Sequence, residues 1–209
     1  MRRTRVKFCG LTRPEDVDAA VAAGADALGF VLWPGSKRAL DEARLVELVE
    51  RVPAFVTRVG LFVDQDPTVV ARCARHLDLL QFHGDEPPAE CERFERPWIK
   101  ALRMREGLDL PAAAGAYSGA RALLLDAYRP GLPGGTGATF DWSRIPASLA
   151  KPVILAGGLS AANAAEAIAA VAPFALDVSG GIEAAPGVKD TARMAAFMAA
   201  VCDADARRP

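Results

Sequence analysis

Histidine and cysteine are scarce in this chain. Its two histidines, His76 and His83, and four cysteines, Cys9, Cys73, Cys91 and Cys202, include no C-x-x-C pair and complete no metal-ligand spacing. Neither a bound metal nor a disulfide framework is therefore expected. Net charge is nearly absent too, with 25 Lys and Arg against 26 Asp and Glu. Surfaces for nucleic acid or anionic lipid need a basic excess, so neither partner is expected and any anion has to be met locally. The longest apolar stretch, residues 152–178, is interrupted by Asn163, Glu166, Pro173 and Asp177, which argues against a membrane span. Arg2, Arg3 and Arg5 open the chain, but Arg13, Glu15, Asp16 and Asp18 arrive before any apolar segment of signal-peptide length. A soluble, cytoplasmic protein is the expectation.

What the chain does have is apolar content, 51% of 209 residues, enough for one substantial core. Short β-rich runs alternate with longer Ala/Leu-rich segments, the order of a parallel α/β fold. Eight strand runs begin near Arg5, Asp26, Val56, Asp78, Pro97, Arg121, Pro152 and Phe174. Helical candidates follow at 14–23, 41–52, 67–76, 87–95, within 105–117, near 142–149, 161–171 and 191–201. Thr12, Pro14 and Glu15 read as a capping box, Asp66 and Ser160 as further N-caps, and Gly24 as a left-handed helix end. The glycine fingerprint G-x-G-x-x-G of a dinucleotide-binding open sheet is missing after the first strand, where Cys9-Gly10-Leu11-Thr12 stands. The expected fold is a single-domain (β/α)8 TIM barrel over residues 1–209, close to the smallest size at which such a barrel closes. The second and sixth units are the longest, which places extra residues in loops 33–40 and 128–140 at the face where such barrels carry their sites.

Side chains alternate along a strand, so Lys7 and Cys9 share a face, as do Ala122, Leu124 and Asp126. With Phe8 against the helices, Cys9 and Asp126 end strands one and six and face each other across the mouth. A thiol and a carboxylate there make a general base and a general acid. Buried cysteine is ordinarily inert packing, whereas a carboxylate closing Leu123-Leu124-Leu125 is costly to bury unless paired or functional. Lys7, one layer below, is expected to pair structurally with Asp177 on the eighth strand. Glycine-rich segments follow three strands: Gly134-Gly135-Thr136-Gly137, Gly157-Gly158, and Ser179-Gly180-Gly181. Backbone N–H groups of such segments approach an anion closely, so a phosphate ester is the expected ligand. Ser36-Lys37-Arg38 puts a basic pair at the rim, with Arg38 able to grip a carboxylate through two hydrogen bonds or simply to sit in a solvated turn. Gln81 and His83 share parity and are expected on the pocket wall.

Read in order, Lys7-Phe8-Cys9-Gly10-Leu11-Thr12, Gly29-Phe30-Val31 with Ser36-Lys37-Arg38, Gln81-Phe82-His83-Gly84, Gly134-Gly135-Thr136-Gly137 with Phe140-Asp141-Trp142, Leu155-Ala156-Gly157-Gly158-Leu159, and Asp177-Val178-Ser179-Gly180-Gly181-Ile182-Glu183 with Lys189-Asp190 resemble the phosphoribosylanthranilate isomerase family of tryptophan biosynthesis. The resemblance runs from the first strand to the last helix. It implies a (β/α)8 barrel that performs an Amadori rearrangement on a small phosphorylated substrate, without metal or organic cofactor; the sequence leaves monomer or homodimer open. Carried over by position, Cys9 is the base, Asp126 the acid and Arg38 the holder of the anthranilate carboxylate. Gly135, Thr136, Gly157, Gly158, Ser179, Gly180 and Gly181 cradle the phosphate, while Gln81 and His83 are expected to contact substrate on their strand parity alone. Gly180 departs from the family's commonest pattern, which has a second serine there. As base, Cys9 needs either a lowered pKa or the use of a small thiolate fraction. Neighbouring barrel families fit less well. Indole-glycerol-phosphate synthase needs a lysine acid, ribulose-phosphate epimerase a metal-binding His and Asp set, and a histidine-pathway isomerase an aspartate in place of Cys9. A non-catalytic phosphate sensor would need neither acid nor base.

Overall fold

The computed structural model describes residues 3–127 and 139–208. Eight parallel strands form a closed barrel in sequential order: β1 (Arg5–Cys9), β2 (Ala27–Val31), β3 (Thr57–Phe62), β4 (Leu79–Phe82), β5 (Trp98–Arg103), β6 (Leu123–Asp126), β7 (Val153–Leu155) and β8 (Ala175–Val178). Around them lie α1 (Pro14–Ala22), α2 (Glu42–Val49), α3 (Pro67–Ala74), α4 (Pro88–Cys91), α5 (Leu110–Ala116), α6 (Ala164–Val171) and α7 (Thr191–Ala206). The expected TIM barrel is therefore present. No helix among the described residues is long and apolar enough to cross a membrane.

Strand alternation divides the barrel's apolar residues between two layers. Phe8, Leu28, Phe30, Phe62, Leu80 and Phe82 point outward and pack against the helices, with the Phe8 and Phe197 rings edge to face at 6.2 Å. Ile99, Ala101, Ala122, Leu124, Ile154 and Ala175 fill one side of the interior. Lys7 and Asp177 are register partners across the closing β1–β8 seam and pair inside at 2.7 Å, both buried. Burial opposes the charge on Lys7, but Asp177 and then the Cys9 thiol outweigh it and hold the ammonium above its ordinary pKa.

Several boundaries differ from the sequence expectation for identifiable reasons. Thr12 is not the cap of α1. Arg13 takes that position, and the Thr12 hydroxyl donates to the Gly187 carbonyl at 2.5 Å. That acceptor lies in the turn of an unexpected hairpin after β8, formed by β9 (Glu183–Ala185) and β10 (Val188–Lys189). Ser160 does not cap α6 either. Asn163 folds back, accepting from Ser160 N at 2.9 Å and donating to Gly158 O at 3.0 Å, and the helix starts at Ala164. The segment expected as a helix at 87–95 splits into α4 and a 3₁₀ turn, Glu92–Phe94, ending at left-handed Glu95 before Arg96 and Pro97. Only a 3₁₀ turn, Trp142–Arg144, occupies the sixth helix position. Asp66 caps α3 as expected, accepting from Thr68 N at 2.7 Å, and Gly24 ends α1 at φ +87°.

Removing one member of a buried ion pair strands the other charge, whereas removing both restores an apolar interior. Lys7→Met is therefore expected to lower unfolding free energy by about 3–5 kcal/mol, and Lys7→Met with Asp177→Leu to recover most of that loss. Urea denaturation of the two variants measures the difference.

Candidate functional site

Every βα loop opens at the C-terminal face of the barrel, and there a cavity of about 340 Å³ lies at the mouth. Its wall includes Cys9, Arg38, His83, Asp126, Asp177 and the loops after β7 and β8. Sequence parity thus places Cys9 and Asp126 in one cavity. Around Cys9, Val31, Leu61, Trp33 and Val63 make an apolar patch, to which the sequence reading had given no role. The Trp33 ring lies against Gly35, where any Cβ would overlap it.

Asp126 is 6% exposed, and its Oδ1 accepts from Ala127 N at 2.9 Å. Its Oδ2 is 3.3 Å from His83 Nε2, which is close enough for an ion pair but lacks the alignment of a hydrogen bond. Gln81 is a correction to the sequence reading. It does not reach the wall but is fully buried one layer below, where its Nε2 lies 3.1 Å from His83 Nδ1. The physical reason is depth: Gln81 pairs in register with Leu61 and Ile99 within the sheet, while His83 is the first residue beyond β4. With Gln81 Nε2 as donor, Nδ1 accepts, and a neutral ring carries its proton on Nε2 toward Asp126.

The thiol of Cys9 is pushed up by burial; Lys7 opposes that rise most strongly and Lys189 adds to the opposition, while Asp177 reinforces it. The net shift is upward, so of the two routes to thiolate the lowered pKa is not the one found. Arg38 differs from a free clamp: its Nε and Nη2 already donate to the Glu183 carboxylate at 2.7 and 2.6 Å. Lys100, fully buried, braces the loop behind His83 by donating to Gly84 O at 2.8 Å and to Glu86 Oε2 at 2.7 Å. Alternation alone marks Lys100 as an outward residue, so nothing in the sequence signalled this brace.

Glycine has a different reason at each position. Gly157 and Gly158 have φ of +84° and +63°, which suit glycine. A Cβ on Gly157 would also strike Ala127 N and approach Asp126 Oδ1. At Gly181 it would overlap the Leu159 carbonyl, locking the β7 and β8 loops together. Among the described residues, no atom lies within 4 Å of a Cβ placed on Gly180. The backbone N–H groups of Gly157, Gly158, Gly180 and Gly181 donate to no protein acceptor among the described residues. Gly135 and Thr136 lie outside the described residues. No cluster of three or more His, Cys, Asp or Glu among the described residues could hold a metal ion.

A family model described as N-(5'phosphoribosyl)anthranilate (PRA) isomerase matches residues 6–200. A relative from Chromohalobacter salexigens named N-(5'-phosphoribosyl)anthranilate isomerase is 72% identical over 201 residues, covering 96% of this chain and 95% of the relative. The crystal structure of phosphoribosyl anthranilate isomerase from Thermotoga maritima aligns with a TM-score of 0.88 at 37% identity over 96% of this chain and 99% of that one. A crystal structure of that type of isomerase with reduced 1-(o-carboxyphenylamino)-1-deoxyribulose 5-phosphate aligns with a TM-score of 0.85 at 35% identity, covering 96% and 99%.

Because burial raises the Cys9 pKa, its thiolate fraction keeps growing at pH values where an ordinary thiol, with a pKa of about 8.5, is already mostly ionised. Alkylation of Cys9 by iodoacetamide, followed by peptide mass spectrometry from pH 7 to 10, is expected to accelerate throughout, with no plateau near pH 9. A plateau there would contradict the upward shift.

Proposed function

The chain belongs to the N-(5'-phosphoribosyl)anthranilate isomerase family, and from that premise we propose that its cavity converts N-(5'-phosphoribosyl)anthranilate to 1-(2-carboxyphenylamino)-1-deoxyribulose 5-phosphate in tryptophan biosynthesis. The observation that carries this reading is the shared cavity of Cys9 and Asp126, lined on one side by unengaged backbone donors and on the other by an apolar patch. The phosphate lies on the Gly157-Gly158 and Ser179-Gly180-Gly181 loops, held by backbone dipoles and not by a lysine cluster. The anthranilate ring covers Val31, Trp33, Leu61 and Val63, and its carboxylate meets Arg38. This places the sugar between thiol and carboxylate.

Asp126 donates its proton to the furanose ring oxygen, the C1–O bond breaks, and the nitrogen lone pair forms an iminium. Cys9 thiolate then removes the C2 proton, and the C–H electrons form the enolamine while neutralising the iminium. Tautomerisation of the enolamine to the ketone completes an isomerisation with no net gain or loss of atoms or electrons. Each proton transfer is general acid or base catalysis, commonly worth about 10²–10⁴-fold. His83, facing Asp126 and backed by Gln81, orients the acid. We place the enzyme in the cytoplasm, acting as a monomer or homodimer. The Thermotoga maritima relative is described as dimeric, and analytical ultracentrifugation of this chain decides between the two.

Fluorescence of freshly made phosphoribosylanthranilate, followed as the pure protein consumes it, tests the activity, and a lack of turnover would sink it. Cys9→Ala and Asp126→Asn are each expected to cut kcat by about 10²–10⁴-fold with little change in KM. With no described residue within reach of a Cβ on Gly180, Gly180→Ser is expected to fold normally and to lower KM, since a hydroxyl bonded to phosphate contributes about 1.5–3 kcal/mol. Gly181→Ala is expected to lower both thermal midpoint and activity.

A further inference from the structure

Glu183 and Lys189 are register partners at the open end of the β9–β10 hairpin and act as neither acid, base nor phosphate cradle. Both side chains are buried, at 5% and 0% exposure, beside the partly covered Arg38. Glu183 Oε1 accepts from Arg38 Nε at 2.7 Å, Lys189 Nζ at 2.8 Å and Gly187 N at 3.2 Å, and Oε2 accepts from Arg38 Nη2 at 2.6 Å. Two parallel hydrogen bonds fix the plane of a guanidinium. They leave Nη1 with no protein partner among the described residues, on a side chain that lines the cavity. Lys189 Nζ also donates to Cys9 O at 2.6 Å and Ser179 O at 3.1 Å, at the ends of β1 and β8.

Charge decides what this cluster does. Arg38 and Glu183 alone would cancel and offer little to an anion. Lys189 supplies a second positive charge, so the three together carry one net positive charge, with Glu183 and Lys189 sealed from solvent and Arg38 at the wall. Burial works against the Glu183 carboxylate, but its hydrogen bond from Arg38 and the charge of Lys189 prevail and hold its pKa below the usual carboxylate value. Burial draws the Lys189 pKa below the usual lysine value against the opposing charge of Glu183, but three acceptors around its Nζ, Cys9 O, Ser179 O and Glu183 Oε1, take all three hydrogens of an ammonium, so the cluster is charged as drawn.

We propose that Glu183 and Lys189 are positioning residues for substrate specificity, with Glu183 aiming Arg38 and Lys189 keeping the pair cationic and tied to the backbone of Cys9 and Ser179. This rests on Arg38 receiving the substrate carboxylate, as argued above. Selectivity for a carboxylated aromatic amine then depends on two side chains that never touch it.

The test uses two probes: reduced 1-(o-carboxyphenylamino)-1-deoxyribulose 5-phosphate and the same compound made from aniline, lacking the carboxylate. Calorimetry gives Kd for both on wild type, Arg38→Met, Glu183→Gln, Lys189→Met and the Arg38→Met/Glu183→Gln double variant. Arg38→Met is expected to weaken the carboxylated probe tenfold or more and the aniline probe less than twofold. Glu183→Gln and Lys189→Met are expected to weaken the carboxylated probe several-fold, again sparing the aniline probe, and the double variant to bind no worse than Arg38→Met alone. If Arg38→Met discriminates but Glu183→Gln affects both probes equally or neither, the positioning role is overturned and the Arg38 reading stands. If Arg38→Met itself fails to discriminate, both fall. Should Glu183→Gln not fold, Glu183→Asp keeps the charge but withdraws it from Arg38, and the same discrimination is expected of it.

Discussion

Pairing of β1 with β8 closes the sheet, and Lys7 beside Asp177 stands at that seam. Without closure Cys9 and Asp126 would end strands on an open sheet with no common mouth. The seam also carries charge into the interior of the barrel. Lys7 there answers two anionic demands, the Asp177 carboxylate and any thiolate on Cys9, which is why its ammonium is held so firmly despite burial. A further layer of the same kind sits above it: Lys189 ties the end of β1 to the end of β8 through Cys9 O and Ser179 O. Two buried lysines thus secure the same seam at two depths.

The eight-fold alternation, the Lys7–Asp177 pair and the facing of Cys9 and Asp126 were legible because each follows from a short-range pattern: a period of two along a strand, and strands alternating with helical segments. The depth of Gln81 was not legible because parity tells which face a side chain takes but not how deep it lies, and the two residues from Gln81 to His83 separate a sealed layer from the wall. The engagement of Arg38 by Glu183 spans 145 positions of sequence, beyond any local pattern. Thr12 failed for a similar reason. Its capping sequence is sound locally, yet the Gly187 carbonyl of a distant hairpin takes its hydroxyl.

An almost neutral protein can hold a ligand bearing both phosphate and carboxylate because its positive potential is local. On one side the field comes from backbone N–H groups exposed by glycine, which cost no ionisable side chain. On the other it comes from Arg38, whose charge survives its partnership with Glu183 only through Lys189. Gly181 and Gly157 serve close approach of loops, while a Cβ on Gly180 would meet none of the described residues. The glycines of one cradle therefore differ in what a side chain would cost.

A buried thiol is an awkward base. Each unit by which burial raises its pKa removes about a factor of ten in thiolate, while the gain in basicity returns less than that, since proton transfer feels only part of the change in pKa. Burial alone would therefore slow the reaction. Lys7 and Lys189 act in the opposite sense on Cys9, limiting the loss of thiolate, and neither has to enter the cavity to do so. The apolar patch that raises the thiol is also the surface suited to an aromatic ring, so the site cannot shed the first effect without losing the second. Cations placed beneath and behind the thiol, and not beside the ring, offset part of that cost. The lysine at the barrel seam thus serves the chemistry at the mouth as well as the closure of the sheet.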